Sequence, residues 1–303
     1  MKFIWVLMTV FTLLGGTEVT IATYNVENLF DMNDDGNEYE EYIPNTSWGW
    51  NDAMYRIKLR NTAKVIHDIN ADIIGLQEIE SETALKDLKA QLNRQGLYYP
   101  HYAFARAKNT TVAVALLSRY PIVSALSRSV GAHRSYRDIL EVKVDIQGKP
   151  LRLFVNHWKS KAYKGDEYRT FVKSRKHNDT DGITGINHIL QTIDDDQNPI
   201  TYSSLKSNKD VLYNLWYELP EDQRWSHQYK QFKEGLDNII ISPALADGKG
   251  LEYVHGSFTR FEEPYLFYKG KMYRWQQSRK HPKHHLGEGY SDHLPLSAKI
   301  NIR

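Results

Sequence analysis

The chain has 303 residues, 41% hydrophobic and 25% charged, a globular composition long enough to bury a core without staples. A formal net charge of +2 excludes a uniformly basic coat of the kind that wraps nucleic acid. The absence of cysteine excludes disulfides, thiolate zinc sites, a cysteine nucleophile and a lipoprotein anchor.

Met1-Lys2, the apolar run 3–14 and Gly15-Gly16-Thr17 predict a signal peptide over residues 1–16, against the alternative of a buried first strand. A single domain over 17–303 is then expected, secreted or periplasmic, monomeric and without a stable membrane anchor, because no later segment is apolar enough to cross a bilayer. Residues 19–24 alternate as a strand, and 30–50 read as an acidic, aromatic loop. Asp31, Asp34 and Asp35 there do not complete an EF-hand pattern, so a solvated loop is expected. Helical spacing marks 55–69 and 82–94, and the continuous apolar run 72–77 marks a strand covered on both faces. Strands are expected over 102–105, 112–118 and 122–128, and a hairpin over 139–146 and 151–156. The segment 162–210 is polar and shows no clear strand. A helix over 211–219 and strands over 236–241 and 296–302 complete the chain. Interleaved strands and helices predict an α/β sandwich.

Four polar clusters each end an apolar segment, as side chains do when they gather at one rim of a sheet. Glu78 follows an apolar run, and a hard divalent cation takes one or two such carboxylates. Asn25 and Glu27 share one side of an extended segment. His157, beside Asn156, suits proton donation to a leaving oxygen. Asp292 precedes His293, but adjacent strand residues point oppositely, so Asp237 is the expected partner that orients the His293 imidazole. Arg137 offers a planar fork for a phosphate. Each has a blander reading taken singly: a surface carboxylate, a loop start, a packed aromatic, a surface ion pair. Basic stretches at 159–177 and at Arg279, Lys280, His281, Lys283, His284 and His285 flank these clusters, as solvated loops or as attractants for a polyanion.

Tyr24-Asn25-Val26-Glu27-Asn28, Leu76-Gln77-Glu78, Asn156-His157-Trp158, Leu236-Asp237-Asn238 and Ser291-Asp292-His293 occur in that order. With these motifs the chain resembles the endonuclease/exonuclease/phosphatase superfamily from about residue 19 to its end. The resemblance implies a four-layer α-β-β-α sandwich of two mixed sheets with a magnesium ion at the sheet rim. It implies Glu78 as the metal-binding carboxylate, with Asn25 supporting it and Asp292 near the metal. It also implies His157 at the phosphate, His293 as general base and Asp237 as its orienting acid. Arg137, Asn156 and Asn238 are assigned to substrate.

One departure stands out. The superfamily carries Gly-Asp-Phe-Asn after the Asn-His motif, whereas here the interval offers Gly165-Asp166 with no apolar strand before it. An internal deletion of one central strand and a helix is therefore expected. The function expected is an exported, divalent-metal-dependent phosphodiesterase, a non-sequence-specific endonuclease on DNA using Mg2+, with Mn2+ or Ca2+ as alternatives. The first alternative is a phospholipid-headgroup phosphatase or sphingomyelinase, with Tyr265, Phe267, Tyr268, Tyr273 and Trp275 as a membrane-touching loop. The second is a catalytically impaired relative that binds nucleic acid.

Overall fold

The structure, a computed structural model, describes residues 17–108, 110–131, 137–158, 190–194, 196, 198–280 and 283–303. The expected signal peptide, the basic stretch from Lys159 and the Gly165-Asp166 pair lie outside these residues, as does His281.

The first half folds much as its periodicity predicts. Strand β1 (Glu18–Leu29) leads to α1 (Asp52–Ile69), β2 (Ile73–Ile79) and α2 (Glu82–Arg94). Asn51 caps α1 by accepting from the Met54 N–H, and Ser81 caps α2 by accepting from the Ala84 N–H. Strands β3 (His101–Ala105) and β4 (Ala113–Ser118) follow. A three-stranded meander, β5 (Ile122–Arg128), β6 (Ile139–Ile146) and β7 (Lys149–Val155), comes next. Its second turn is Gln147-Gly148, where positive φ at both residues matches a tight hairpin.

The second half departs from expectation. A short helix α3 (Tyr202–Ser207) interrupts the polar segment. The helix expected over 211–219 is instead β8 (Tyr213–Asn214) followed by a 3-10 turn at Leu215–Glu218. Asn214 turns its side-chain oxygen to the Trp216 N–H, and Leu215 N–H bonds to Ile239 O, so the apolar residues face a neighbouring strand. A hairpin of β9 (His227–Tyr229) and β10 (Phe232–Glu234) was not foreseen. Of the strand expected over 236–241, only β11 (Ile240–Ile241) pairs, with β8. Short strands β12 (Leu251–Tyr253), β13 (Thr259–Arg260), β14 (Phe267–Tyr268) and β15 (Lys271–Met272) precede β16 (Leu296–Ile302).

The main sheet runs β12-β16-β1-β2-β4-β3, with β13 also on β16. Only the central β1–β2 pair within it is parallel. Helices α1 and α2 cover one face through Leu59, Val65, Ile66, Leu85 and Leu88, packed on Tyr24, Val26 and Leu76. The other face, including Ile73, Val114 and Leu116, packs on Leu140, Val142, Val144 and Val155 of the β5–β7 sheet. Helices, sheet and sheet thus stack as the α/β sandwich requires. Gly75 lets the sheets approach closely: a Cβ there would lie 3.2 Å from Val155 Cγ2. That contact sets β7 against β2 just before the two strands deliver His157 and Glu78.

Gly289 fixes the last rim segment. Its φ is +89°, and a Cβ would sit 1.9 Å from the Arg274 carbonyl oxygen. Gly289→Ala is expected to destabilise the protein by at least about 2 kcal/mol, since left-handed strain and backbone overlap add. Urea unfolding of the two proteins measures it.

Candidate active site

The site begins with two neighbouring bulges. Register slips in β1 between Asn25 and Leu29, and in β2 between Gln77 and Ile79. Glu27, Asn28 and Glu78 take left-handed backbone angles, φ 51°, 61° and 64°. Glu78 therefore does not close its strand, as the sequence suggested. It sits on a bulge inside β2, which turns its carboxylate out of the sheet's alternation. The carboxylate is held by Asn25 Nδ2 at 3.0 Å and by the Asn28 N–H at 3.1 Å. Asn25 Oδ1 in turn accepts from the Glu27 N–H at 3.0 Å. Asn25 thus positions Glu78 through its amide nitrogen, and its oxygen, which accepts one bond, keeps a second lone pair for a cation.

His157 lies just beyond β7, its Nε2 3.4 Å from Glu78 Oε1. Burial opposes ionisation of Glu78, but His157 outweighs it and holds the carboxyl at about 2. Burial, then Arg137, push the His157 imidazole down from its usual value. Arg137 is anchored by donating to Trp158 O at 3.0 Å. Asn156 donates to Phe154 O at 3.3 Å, while its buried Oδ1 has no partner.

Across the rim, His293 Nδ1 lies 2.7 Å from Asp237 Oδ2. Ser226 fixes that acid twice: its Oγ donates to Asp237 Oδ2 at 2.6 Å and accepts from the Asp237 N–H at 3.0 Å. The bond to Asp237 places the Nδ1 proton and leaves Nε2 facing the site, 3.9 Å from Asp292 Oδ1. Burial lowers the His293 pKa, but Asp237, Asp292 and Glu78 outweigh it and raise it to about 10. Asn238 is spoken for, accepting from Asn214 Nδ2 at 3.1 Å and donating to Leu236 O. No contact among the described residues joins it to the other site residues.

Asp292 is flanked by residues the sequence reading missed. Arg274 bridges Asp292, at 3.2 Å, and the buried Glu27. His227 Nε2 lies 3.8 Å from Asp292 Oδ2. Burial disfavours the Asp292 anion, yet His227, His293 and Arg274 hold its pKa far below the usual range. Glu27 is pushed up to about 7 by burial and by Asp292, against Arg274 and Lys58. Lys58, wholly buried, donates to Tyr290 O at 2.8 Å. Nothing in local sequence marks His227, Arg274 or Lys58: each sits in an ordinary amphipathic context, and only the fold brings it to the rim.

Glu78 and Asp292 offer hard oxygen donors, which fits a divalent cation of the magnesium class. Glu78 Oε2 keeps a lone pair beyond the Asn28 N–H, whereas Oε1 already meets Asn25 and His157. The flanking residues correct two expectations. His285 is buried, accepting from Trp275 Nε1 and bonding Glu41 O, so it belongs to the aromatic core and not to a basic surface. Trp275 is buried too, and Tyr265 and Phe267 pack on the core. Of the five aromatics expected on a membrane-touching loop, Tyr268 alone is largely exposed.

A sequence profile of the Endonuclease/Exonuclease/phosphatase family matches residues 20–302. The chain belongs to that family. Its members are hydrolases of phosphoester bonds that depend on divalent metals. No curated protein sequence matches the chain. Among solved structures, a humanized D. rerio TDP2 carrying 14 mutations superposes with a TM-score of 0.52 at 13% identity, over 94% of this chain and 99% of that one. D. rerio TDP2 complexed with a single-strand DNA product gives 0.51 at 13% identity over 94% and 99%. TDP2 from Caenorhabditis elegans gives 0.50 at 15% over 94% and 74%. At such identities these likenesses speak for the fold.

The Asp237–His293 pair makes a pH prediction. A histidine whose folded pKa is raised adds stability that is full below its unfolded value, 6.5, and is lost as pH rises through about 10. In chelator, Asp237→Asn is expected to cost about 3 kcal/mol at pH 6, where a buried charge loses its partner. The deficit shrinks as the pH approaches 10. Urea unfolding across that range reads it.

Proposed function

We propose that this protein is an exported, divalent-cation-dependent phosphodiesterase that cleaves DNA without sequence preference. The observation that carries the reading is the pairing of two imidazoles with two partly buried carboxylates at one rim, His157 on Glu78 and His293 on Asp237. The DNA product bound in the D. rerio TDP2 structure supports the choice of substrate.

In this reading His157 Nε2–H and Arg137 bind the phosphate oxygens, and Asn25 keeps the Glu78 carboxylate aimed at the same point. Glu78 and Asp292 would hold a divalent cation, which would supply charge stabilisation to the phosphate and offset the carboxylate field that keeps His293 protonated. His293 Nε2 then takes a proton from the attacking water as the new P–O bond forms. The bond to the leaving oxygen breaks, and solvent returns a proton to that oxygen. Asp237 and Ser226 hold the ring through the transfer. Export rests on the signal-like residues 1–16.

A second reading, a catalytically impaired DNA-binding relative, has its own support. The chain contains no Gly-Asp-Phe-Asn.

Nicking of supercoiled plasmid with magnesium and with chelator tests the first reading. Glu78→Gln and His293→Ala are each expected to lower the rate by about 100-fold or more. Undiminished cleavage by either variant overturns the assignment. DNA binding without turnover in Mg2+, Mn2+ or Ca2+ moves the second reading ahead.

A further inference from the structure

His227 is the imidazole that the reading above leaves unused. Strand β9 carries it, and an antiparallel bridge sets it opposite His293, their ring centroids 4.8 Å apart. Its Nε2 faces Asp292 Oδ2 at 3.8 Å, and His293 Nε2 faces Asp292 Oδ1 at 3.9 Å. One donor atom from each of the three residues lies within 4.8 Å of the others. Donors bound to a common cation at roughly 2.0–2.2 Å sit roughly 3–3.5 Å apart in tetrahedral geometry. Side-chain movements of about 1 Å or less close that gap.

The chemistry of the set differs from that of Glu78. Two imidazole nitrogens and one carboxylate suit zinc or cobalt, whereas magnesium and calcium take oxygen. The surroundings of His293 are those of a metal-binding histidine: its far nitrogen is bonded to a carboxylate, which is itself hydrogen-bonded to Ser226. His227 Nδ1 has no hydrogen-bond partner and Asp292 faces its Nε2, so a cation bound there would take the place of a proton on Nε2. Arg274 stands 3.2 Å from Asp292, but Glu27 shares its charge.

We propose that His227, Asp292 and His293 form a second cation site of nitrogen and oxygen donors, selective for Zn2+ or Co2+ over Mg2+, whose occupation stops hydrolysis by taking the Nε2 lone pair of His293. The binding half stands on geometry alone; the inhibitory half rests on His293 acting as the base.

Co2+ added to the metal-free protein in excess Mg2+ is expected to give visible d–d absorption that saturates at one equivalent and is displaced by Zn2+. His227→Gln abolishes the bands, and Glu78→Gln keeps them. X-ray absorption of the Zn2+-loaded unmutated protein is expected to show two imidazole nitrogens, a readout that does not depend on a variant folding. No bands, bands unchanged in His227→Gln, or zinc without imidazole ligands overturns the site. For inhibition, Zn2+ should suppress Mg2+-supported nicking, and His227→Gln should raise the Zn2+ needed for half-suppression at least tenfold relative to its own Mg2+-only rate. Bands without any Mg2+-supported nicking would leave the cation site standing and remove the hydrolase reading. Nicking untouched by Zn2+ at full occupancy overturns the inhibitory half.

Discussion

The rim depends on two bulges lying side by side in the parallel pair β1 and β2. A regular strand alternates its side chains between two faces, and here both faces are buried, one under helices and one under the second sheet. Without the bulges, Glu27 and Glu78 would point into those cores as unpaired charges. Three non-glycine residues in left-handed conformations cost of order 1–3 kcal/mol each. They persist because the Glu78 carboxylate bonds across to Asn25 and to the Asn28 N–H, so each bulge is locked by the other.

That lock concentrates negative charge. Glu27, Glu78, Asp237 and Asp292 all lie at the same rim, mostly buried. Burial disfavours each anion, and the fold answers with donors placed one by one: Arg274 between Glu27 and Asp292, the His157 imidazole on Glu78, protonated His293 on Asp237. The same field keeps His293 protonated well above neutrality. A proton and a divalent cation are alternative neutralisers of one cluster, which in the proposed reading would tie base strength at His293 to occupancy beside Glu78 and Asp292.

Much of this was legible in the chain. Periodicity located α1, α2 and the strands through β7, because those elements bury a whole face and their residues must repeat with it. The motifs around Asn25, Glu78, His157, Asp237 and His293 were legible because each is a polar island beside an apolar run. The bulge at Glu78 was not, since a bulge leaves composition unchanged. The segment Val211–Leu219 misled because apolar residues at helical spacing also suit a short strand and a turn, and the pairing of β8 with β11, with Asn214 donating to Asn238, decided between them in three dimensions. His227, Arg274 and Lys58 were invisible for the same reason: their roles come from charges distant in sequence.

Arg274 also bears on how tightly a cation is held. A site that folds only around its metal leaves its carboxylates unmatched when the metal leaves. Here Glu27 and Asp292 share a guanidinium, and Glu78 has an amide, a backbone N–H and an imidazole. The ligands are therefore largely compensated before any cation arrives. Binding then gains only the difference between those partners and the cation, and needs little rearrangement of the backbone. In the proposed reading such a balance would give exchangeable, concentration-dependent occupancy and a rim that stands without its metal. It is the balance a hydrolase needs, because a cation that must stabilise charge on a passing phosphate cannot already be saturated by the protein.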